Sequence, residues 1–206
     1  MKRQLFVGTL AMVCLAGAAQ AQITGSKHDF STMAWSGGEI CKPCHTPHAA
    51  LADEGALWNH KMSSASYTMF EGETGGQNML DQRSRLCMGC HDGTVALDSF
   101  GKTTGINFIA AYANIGTDLQ DDHPIGADAI YPTTTSTRFN AQDANHRING
   151  PWGALRLRAW VDPSDNVEKY VVSCGTCHNV HNAGNYGHML TFSNQASHVC
   201  LTCHIK

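Results

Sequence analysis

The chain has 206 residues, of which 15% are charged, 8% are aromatic and 20 are glycine, so side chains alone provide a thin core for one domain of this length. The formal net charge is −3 and the sequence contains no basic stripe, which argues against nucleic acid as a partner. After the first 21 residues, no stretch approaches the run of about 20 apolar residues that a membrane-spanning helix requires. We therefore predict a single domain at 22–206 without a membrane span.

The first 21 residues have the features of a secretory signal peptide. Lys2 and Arg3 give a basic start, residues 5–18 form an apolar run, and residues 19–21 read Ala-Gln-Ala, a small-residue cleavage site. We predict that residues 1–21 are removed, that the mature chain begins near Gln22, and that the protein is exported. Cys14 lies in the removed segment and lacks the preceding Leu of a lipoprotein signal, which disfavours a lipid anchor.

A Cys-x-x-Cys-His sequence occurs four times, beginning at Cys41, Cys87, Cys174 and Cys200, and we number these motifs 1 to 4 in chain order. One copy alone is compatible with a zinc site or a disulfide pair. Here eight of the nine cysteines fall in the motifs and a histidine follows every motif, which is the attachment signature of c-type haem. The sequence therefore predicts four covalently bound haems.

Each motif supplies two thioether bonds and one axial iron ligand. The predicted haem-binding cysteines are Cys41, Cys44, Cys87, Cys90, Cys174, Cys177, Cys200 and Cys203. The predicted iron ligands that follow them are His45, His91, His178 and His204. Burying four apolar macrocycles supplies the core that the side chains lack, so we expect the chain without haem to be largely unfolded.

The motifs divide the domain into a haem pair at 41–91, a loop-rich insert at 92–173 and a haem pair at 174–204. Within the insert, residues 154–161 alternate, 162–166 have turn composition and 167–172 are β-rich, which predicts a hairpin that delivers Cys174. We expect the fold of a multihaem cytochrome c. It should be mostly irregular chain, with short helices at the motifs and one or two β-hairpins, around four closely stacked haems.

Eight histidines lie outside the motifs, and four haems need at most four of them as second ligands. His48 and His181 each follow a motif histidine by three residues. At that spacing two side chains lie on the same side of a helical turn, so each must ligate a different iron from its neighbour, or none. His123 gains weight from Pro124, which fixes the backbone, and from a neighbouring carboxylate, of Asp121 or Asp122, which could receive the other ring N–H.

His28, ahead of motif 1, is a further candidate, and His60 is the first reserve. Three more histidines have polar or small-residue surroundings typical of ordinary surface residues: His146, His188 and His198. Methionine would raise the reduction potential as a ligand, but none of the eight methionines stands in a comparable motif. We therefore favour two histidines on every iron and low potentials.

The sequence resembles the tetrahaem cytochromes of metal-reducing bacteria of the OmcE type over nearly the whole mature chain. The segments that carry the resemblance are Lys27–Ser31, Gly38–His48, Leu57–His60, Leu86–Thr94, Asp121–Ile125 and Leu201–His204. The resemblance implies a loop-rich fold around a continuous haem stack, two histidines on every iron, and polymerisation into extracellular filaments that conduct electrons. It also implies His28, His48, His123 and His181 as the second ligands, with one, predicted to be His48, crossing to a neighbouring subunit.

The leading functional hypothesis is electron transfer without substrate chemistry, as the subunit of a filament at the cell surface. Its partners would be copies of itself, redox cytochromes and extracellular acceptors. A monomeric periplasmic electron shuttle is the first alternative. The second is a multihaem reductase of nitrite or a similar small oxidant, an enzyme that needs an iron with an open position. The Cys-x-x-Cys-Lys motif that often marks such an iron is absent from the sequence.

Overall fold

The computed structural model describes residues 22–52, 55 and 57–206. The predicted signal peptide lies outside these residues. Short elements alternate with irregular chain, as the composition predicted. The helices are α1 (Gln82–His91), α2 (Cys174–Cys177) and α3 (His198–Cys203). Single 3-10 turns are found at Ala34–Ser36, Gln77–Met79, Ala111–Ala113, Gly126–Ala129, Gly187–Met189 and Gln195–Ser197.

Six short strands pair into three antiparallel hairpins. They are β1 (Tyr67–Thr68) with β2 (Thr74–Gly75), β3 (Arg147–Gly150) with β4 (Gly153–Arg156), and β5 (Arg158–Val161) with β6 (Glu168–Val171). The predicted hairpin is present as β5–β6, and β6 ends three residues before Cys174, as expected. The sequence analysis expected one or two hairpins, and the structure has three.

The predicted strand at 154–161 is divided between two hairpins, which corrects the sequence analysis. Leu157 interrupts it, because its N–H donates to the carbonyl of His146 at 2.9 Å instead of joining the β5–β6 ladder. Leu155 and Leu157 are both buried, in different apolar clusters. Alternation of apolar and polar residues fixes which side chains are buried, but it does not fix the strand with which each half pairs.

The core consists of three small apolar clusters. The largest contains Tyr67, Met69, Met79, Leu80, Met88 and Leu119; the second contains Tyr131, Ile148, Leu157 and Val172; the third contains Leu155, Phe192 and Val199. Several large apolar side chains remain exposed, among them Ile106 and Tyr112. In the described part of the chain, no helix has the length and apolar character needed to cross a membrane.

Candidate haem-binding site

Three of the four motifs lie on helices. Motif 2 forms the end of α1, motif 3 forms α2, and motif 4 lies in α3. Motif 1 is a single hydrogen-bonded turn in which the N–H of His45 donates to the carbonyl of Cys41 at 2.8 Å. The helix expected there does not continue, because Pro47 disfavours helical backbone at the residue before it.

The backbone nevertheless presents the motifs in a common way. The N–H of His178 donates to the carbonyl of Cys174 at 3.0 Å, and that of His204 donates to Cys200 at 2.8 Å, as in motif 1. Each bond closes one turn across the motif. The turn holds both cysteines and the histidine on one short stretch of backbone, as attachment to one macrocycle requires.

Thiols of different motifs are neighbours. Cys87 and Cys174 lie close enough to shift each other's pKa, upward for Cys87 and downward for Cys174. Burial raises the pKa of Cys90 to about 12, and the nearby Cys44 adds to that shift. Burial likewise raises the pKa of Cys177 to about 12, with a further contribution from Cys203. The four motifs therefore form one cluster, with motif 1 beside motif 2, motif 2 beside motif 3, and motif 3 beside motif 4.

The motif histidines face other histidines at a characteristic distance. The ring centres of His45 and His181 are 6.2 Å apart, and those of His28 and His91 are 6.0 Å apart. A ligating imidazole nitrogen lies about 2 Å from its metal and the ring centre about 1 Å further out, so two imidazoles on opposite sides of one iron have centres about 6 Å apart. Both pairs match that distance.

A third pair has the same spacing. The ring centres of His123 and His204 are 6.3 Å apart. Each of the three pairs joins one motif histidine to one histidine outside the motifs. His28, His123 and His181, which the resemblance implied as second ligands, therefore meet His91, His204 and His45 respectively. The pairing of His181 with His45 also agrees with the argument that His181 cannot serve the same iron as His178.

Hydrogen bonds to backbone carbonyls set the tautomers of two of these rings, His91 and His123, and of the unpaired motif histidine His178. Nδ1 of His91 donates to Ala113 at 2.8 Å, and Nδ1 of His178 donates to the carbonyl of His188 at 2.9 Å. Because Nδ1 carries the proton, Nε2 keeps its lone pair for a metal. Nδ1 of His123 donates to the carbonyl of Pro124 at 2.9 Å. The prediction that a neighbouring carboxylate accepts this N–H was wrong.

Two of the second histidines, His28 and His181, have lowered pKa values, which favour the neutral form that ligation requires. Burial, followed by the charges of His91 and His178, lowers the pKa of His28 to about 4. Burial is also the largest cause of the lowered pKa of His181, with a contribution from His45. Two imidazoles that face each other across a short gap disfavour each other's protonation, as expected for like charges.

His48 and His178 differ from the six paired histidines. In residues 22–52, 55 and 57–206, neither ring lies opposite another histidine at the spacing of the three pairs. His48 is exposed, and its backbone N–H reaches only the hydroxyl of Thr46. His178 is exposed as well, and only its Nδ1 is engaged. Among the described residues, the motif histidine His178 therefore has no opposite histidine, and the predicted second ligand His48 lies opposite no motif histidine.

The reserve ligand His60 has a structural role. Its side chain is 1% exposed, and its two ring nitrogens lie 2.9 Å from the carbonyl of Lys61 and 3.0 Å from the carbonyl of Ala96. Nε2 also lies 3.5 Å from Sγ of Cys90, and in the described residues the ring does not lie opposite a motif histidine. Burial is the main cause of its lowered pKa.

The remaining histidines have other surroundings, in agreement with the sequence analysis. His146 stacks on Tyr170 with ring centres 3.2 Å apart, and His198 stacks on Trp152 at 4.0 Å. His188 contributes its carbonyl to His178. None of the three lies opposite a motif histidine in the described residues.

The donor set fits haem better than zinc. In the described part of the chain, no three His, Cys, Asp or Glu side chains converge on a point where they could hold a bare metal ion. A structural zinc site requires four such ligands. A haem iron requires only two from the protein, on opposite sides of the macrocycle. The three histidine pairs, each beside a Cys-x-x-Cys sequence, supply that arrangement.

Comparison with known proteins adds no relative. No protein-family model matches the chain, and no curated protein matches it. The four motifs and the three histidine pairs are therefore the observations that favour haem. Neither the pairing of the histidines nor the carbonyls of Ala113 and His188 as acceptors could be predicted from the sequence. Backbone acceptors leave no signal in a sequence.

Proposed function

We propose that this protein transfers electrons along four covalently attached c-type haems, each with two histidine ligands. The observation that carries the proposal is the spacing of the three histidine pairs, 6.0 to 6.3 Å, each beside a Cys-x-x-Cys sequence. When bound, haem supplies an iron that alternates between Fe(III) and Fe(II).

The chain's own residues would hold and orient the four groups. The cysteine pairs of the motifs would hold the macrocycles by covalent bonds, and the histidine pairs would supply both protein ligands to three of the irons. Three of the four predicted second ligands, His28, His123 and His181, belong to such pairs. With both axial positions filled by protein, an iron has no open position for a substrate. That arrangement favours electron transfer over catalysis.

We further propose that the protein is the subunit of an extracellular filament, in which His48 of one chain ligates the iron of motif 3 in the next. Support comes from the two histidines that lack a partner in the described residues, His48 and His178, both of which are exposed. His48 of one chain would supply the second imidazole that the iron held by His178 of the next chain lacks. Export depends on the signal peptide predicted at residues 1–21.

A second candidate function follows from His178. If no neighbouring chain supplies a ligand, the iron of motif 3 keeps one open axial position, as a multihaem reductase of a small oxidant such as nitrite requires. A periplasmic electron shuttle would instead fill that position from its own chain. Carbon monoxide separates these alternatives, because it binds only to a reduced iron with a free position.

The experiment is expression of the full chain in a bacterial host that attaches c-type haem. Mass spectrometry counts the haems, a sizing column and electron microscopy report the assembly, and carbon monoxide is added to the reduced protein. The proposal predicts four haems on a chain that begins near Gln22, continuous filaments and no carbon monoxide binding by them. A purified chain that carries no haem would contradict the electron-transfer proposal. A monomer that binds no carbon monoxide would contradict only the filament.

A further inference from the structure

The carboxylate of Asp81 is buried between two of the motif-bearing helices. Its side chain is 1% exposed and caps the N-terminus of α1, where Oδ1 accepts hydrogen bonds from the backbone N–H groups of Arg83 at 2.9 Å and Ser84 at 3.2 Å. A cap of this kind stabilises a helix by about 1 kcal/mol. Capping alone accounts for these two bonds.

The same carboxylate also holds α2. The hydroxyl of Ser173, the N-cap residue of α2, donates to Oδ1 of Asp81 at 2.9 Å. Ser173 in turn accepts from the N–H of Gly175 at 3.2 Å and donates its own N–H to the hydroxyl of Thr176 at 3.1 Å. The N-caps of two helices separated by more than 80 residues of sequence therefore meet at one carboxylate.

Ser84 adds a second connection between the helices. Its hydroxyl donates to Oδ2 of Asp81 and accepts from the backbone N–H of Cys174 at 3.2 Å. Ser84 and Ser173 are both buried, and their hydroxyl oxygens lie 3.1 Å apart. The network is closed, since each hydroxyl has a partner on both helices. Buried polar networks that are fully satisfied fix one relative position of the elements they join.

This network determines where two attachment cysteines lie. Cys87 is on α1 one turn after Ser84, and Cys174 is the first residue of α2. They belong to motifs 2 and 3, yet the backbone N–H of Cys174 donates to Ser84 on α1 at 3.2 Å, and each of the two thiols shifts the pKa of the other. The haems predicted on these motifs would therefore be attached at adjacent points of the protein, with Asp81 next to that junction.

The charge of Asp81 is also well placed to act on this junction. In a buried setting a carboxylate is screened weakly, so its field extends to neighbouring groups. The field reaches Arg158, whose pKa is lowered by burial and by the charges of Arg83 and Arg156 but is raised by Asp81. Arg158 also donates to the carbonyl of Gly175 in motif 3 at 3.2 Å.

We infer that Asp81 is a positioning residue for electron transfer, which holds the haems of motifs 2 and 3 in contact and lowers their reduction potentials. This inference rests on the proposed function. A negative charge stabilises Fe(III) relative to Fe(II), since the oxidised iron carries one more positive charge. Electron transfer between the haems of motifs 2 and 3 would then depend on the hydrogen-bond network of Asp81, Ser84 and Ser173, none of which is an iron ligand.

The test is Asp81→Asn in the full-length, haem-loaded protein. Asn is as good an N-cap as Asp and keeps one acceptor oxygen, so α1 retains its cap while the charge is lost. The matched control is Asp165→Asn, which removes the same charge from an exposed turn where the side chain is 45% accessible. Mass spectrometry counts the haems, and a spectroscopic redox titration gives the four potentials.

We expect four haems in both variants. In Asp81→Asn, two of the four potentials should rise, so that the Fe(III)/Fe(II) ratio of those two haems at a fixed applied potential falls several-fold. Asp165→Asn should leave all four reduction potentials unchanged. Four unchanged potentials in Asp81→Asn would overturn the inference. A wild-type chain without four haems would instead contradict the proposed function, so the two failures are distinguishable.

A second pair of variants tests the bridge with the charge retained. Ser173→Ala removes the hydroxyl that joins α2 to Asp81, and Ser173→Thr keeps a hydroxyl at the same position. The readout is the split circular dichroism signal in the Soret region, which arises from coupling between adjacent haems. We expect Ser173→Ala to reduce the splitting and Ser173→Thr to retain the wild-type splitting. An unchanged signal in Ser173→Ala would overturn the inference, including in the case where Asp81→Asn yields no loaded protein.

Discussion

Segments 41–48 and 174–181 share the spacing Cys-x-x-Cys-His-x-x-His, but their last histidines have different surroundings. His181 lies opposite His45 with ring centres 6.2 Å apart. His48 has no such partner in the described residues, and neither has His178. The comparison teaches that the three-residue spacing in these segments only prevents the last histidine from sharing an iron with the motif histidine before it. The surrounding fold decides whether the iron it does serve belongs to the same chain.

The largest effect is expected from removing the cysteines of one segment. Replacing Cys174 and Cys177 with Ala would remove the proposed attachment of a haem at the α1–α2 junction. Because the three apolar clusters are small, we predict loss of the cooperative fold as well as of haem. Circular dichroism and the ratio of haem to protein provide the measurement. A chain that unfolds cooperatively without haem would contradict this account of the core.

The next-largest effect separates the role of His181 from that of His48, the last residues of the two segments. His181→Ala should leave the iron of motif 1 with one open axial position in monomer and filament alike, because His45 loses its partner within the chain. We expect carbon monoxide to bind one haem in four in the filament and two in four in the monomer, where the iron of motif 3 also lacks its second ligand. His146→Ala serves as the control, since His146 stacks on Tyr170 and should not affect ligation. Equal behaviour of the two variants would be evidence against the pairing.

His48→Ala should act on assembly. Loss of an intermolecular iron ligand is expected to weaken subunit association by at least about tenfold, which corresponds to about 1.4 kcal/mol. Sedimentation of filaments over a range of concentrations provides the measurement. The haem content should remain at four per chain. Filaments of normal stability would exclude His48 as the crossing ligand and leave the other pairs unaffected.

A smaller effect is expected at a second ligand outside both segments. His123→Ala should open one axial position at the iron of motif 4, since His123 lies 6.3 Å from His204. Replacing the neighbouring Asp122 with Asn should not, because the ring N–H of His123 donates to Pro124 and not to that carboxylate. The measurement is the fraction of high-spin iron by electron paramagnetic resonance. A high-spin signal in Asp122→Asn would restore the interpretation that the structure corrects.

The smallest effect concerns the β5–β6 turn, far from either final histidine in sequence. Lys169, followed by Ser164, lowers the pKa of Asp162 from 3.8 to about 2. A carboxyl whose pKa is lowered by folding stabilises the fold fully above its unfolded value, and this contribution disappears as the pH falls through about 2. Asp162→Asn should therefore be slightly less stable than wild type at pH 7, and the two should converge near pH 2 in thermal unfolding. A difference that grew on acidification would contradict this assignment.

Part of this structure follows directly from the sequence. The helical turns at motifs 2 to 4, the hairpin before Cys174 and the separation of the His181 ring from that of His178 all depend on spacing along the chain. The partner of each ring depends on chain folding over long distances, as His28 with His91 illustrates, and no local pattern encodes it. Sequence reasoning also failed at Asp122 and Leu157, where a backbone group competes successfully with the predicted partner.

The spin state of iron in the isolated subunit tests the central claim most directly. Filaments would be dissociated to monomers, and electron paramagnetic resonance would be recorded on both forms. The account predicts four low-spin haems per chain in the filament, but three low-spin and one high-spin in the monomer, because His178 then has no opposite histidine. Four low-spin haems in the monomer would show that the fourth ligand comes from the same chain.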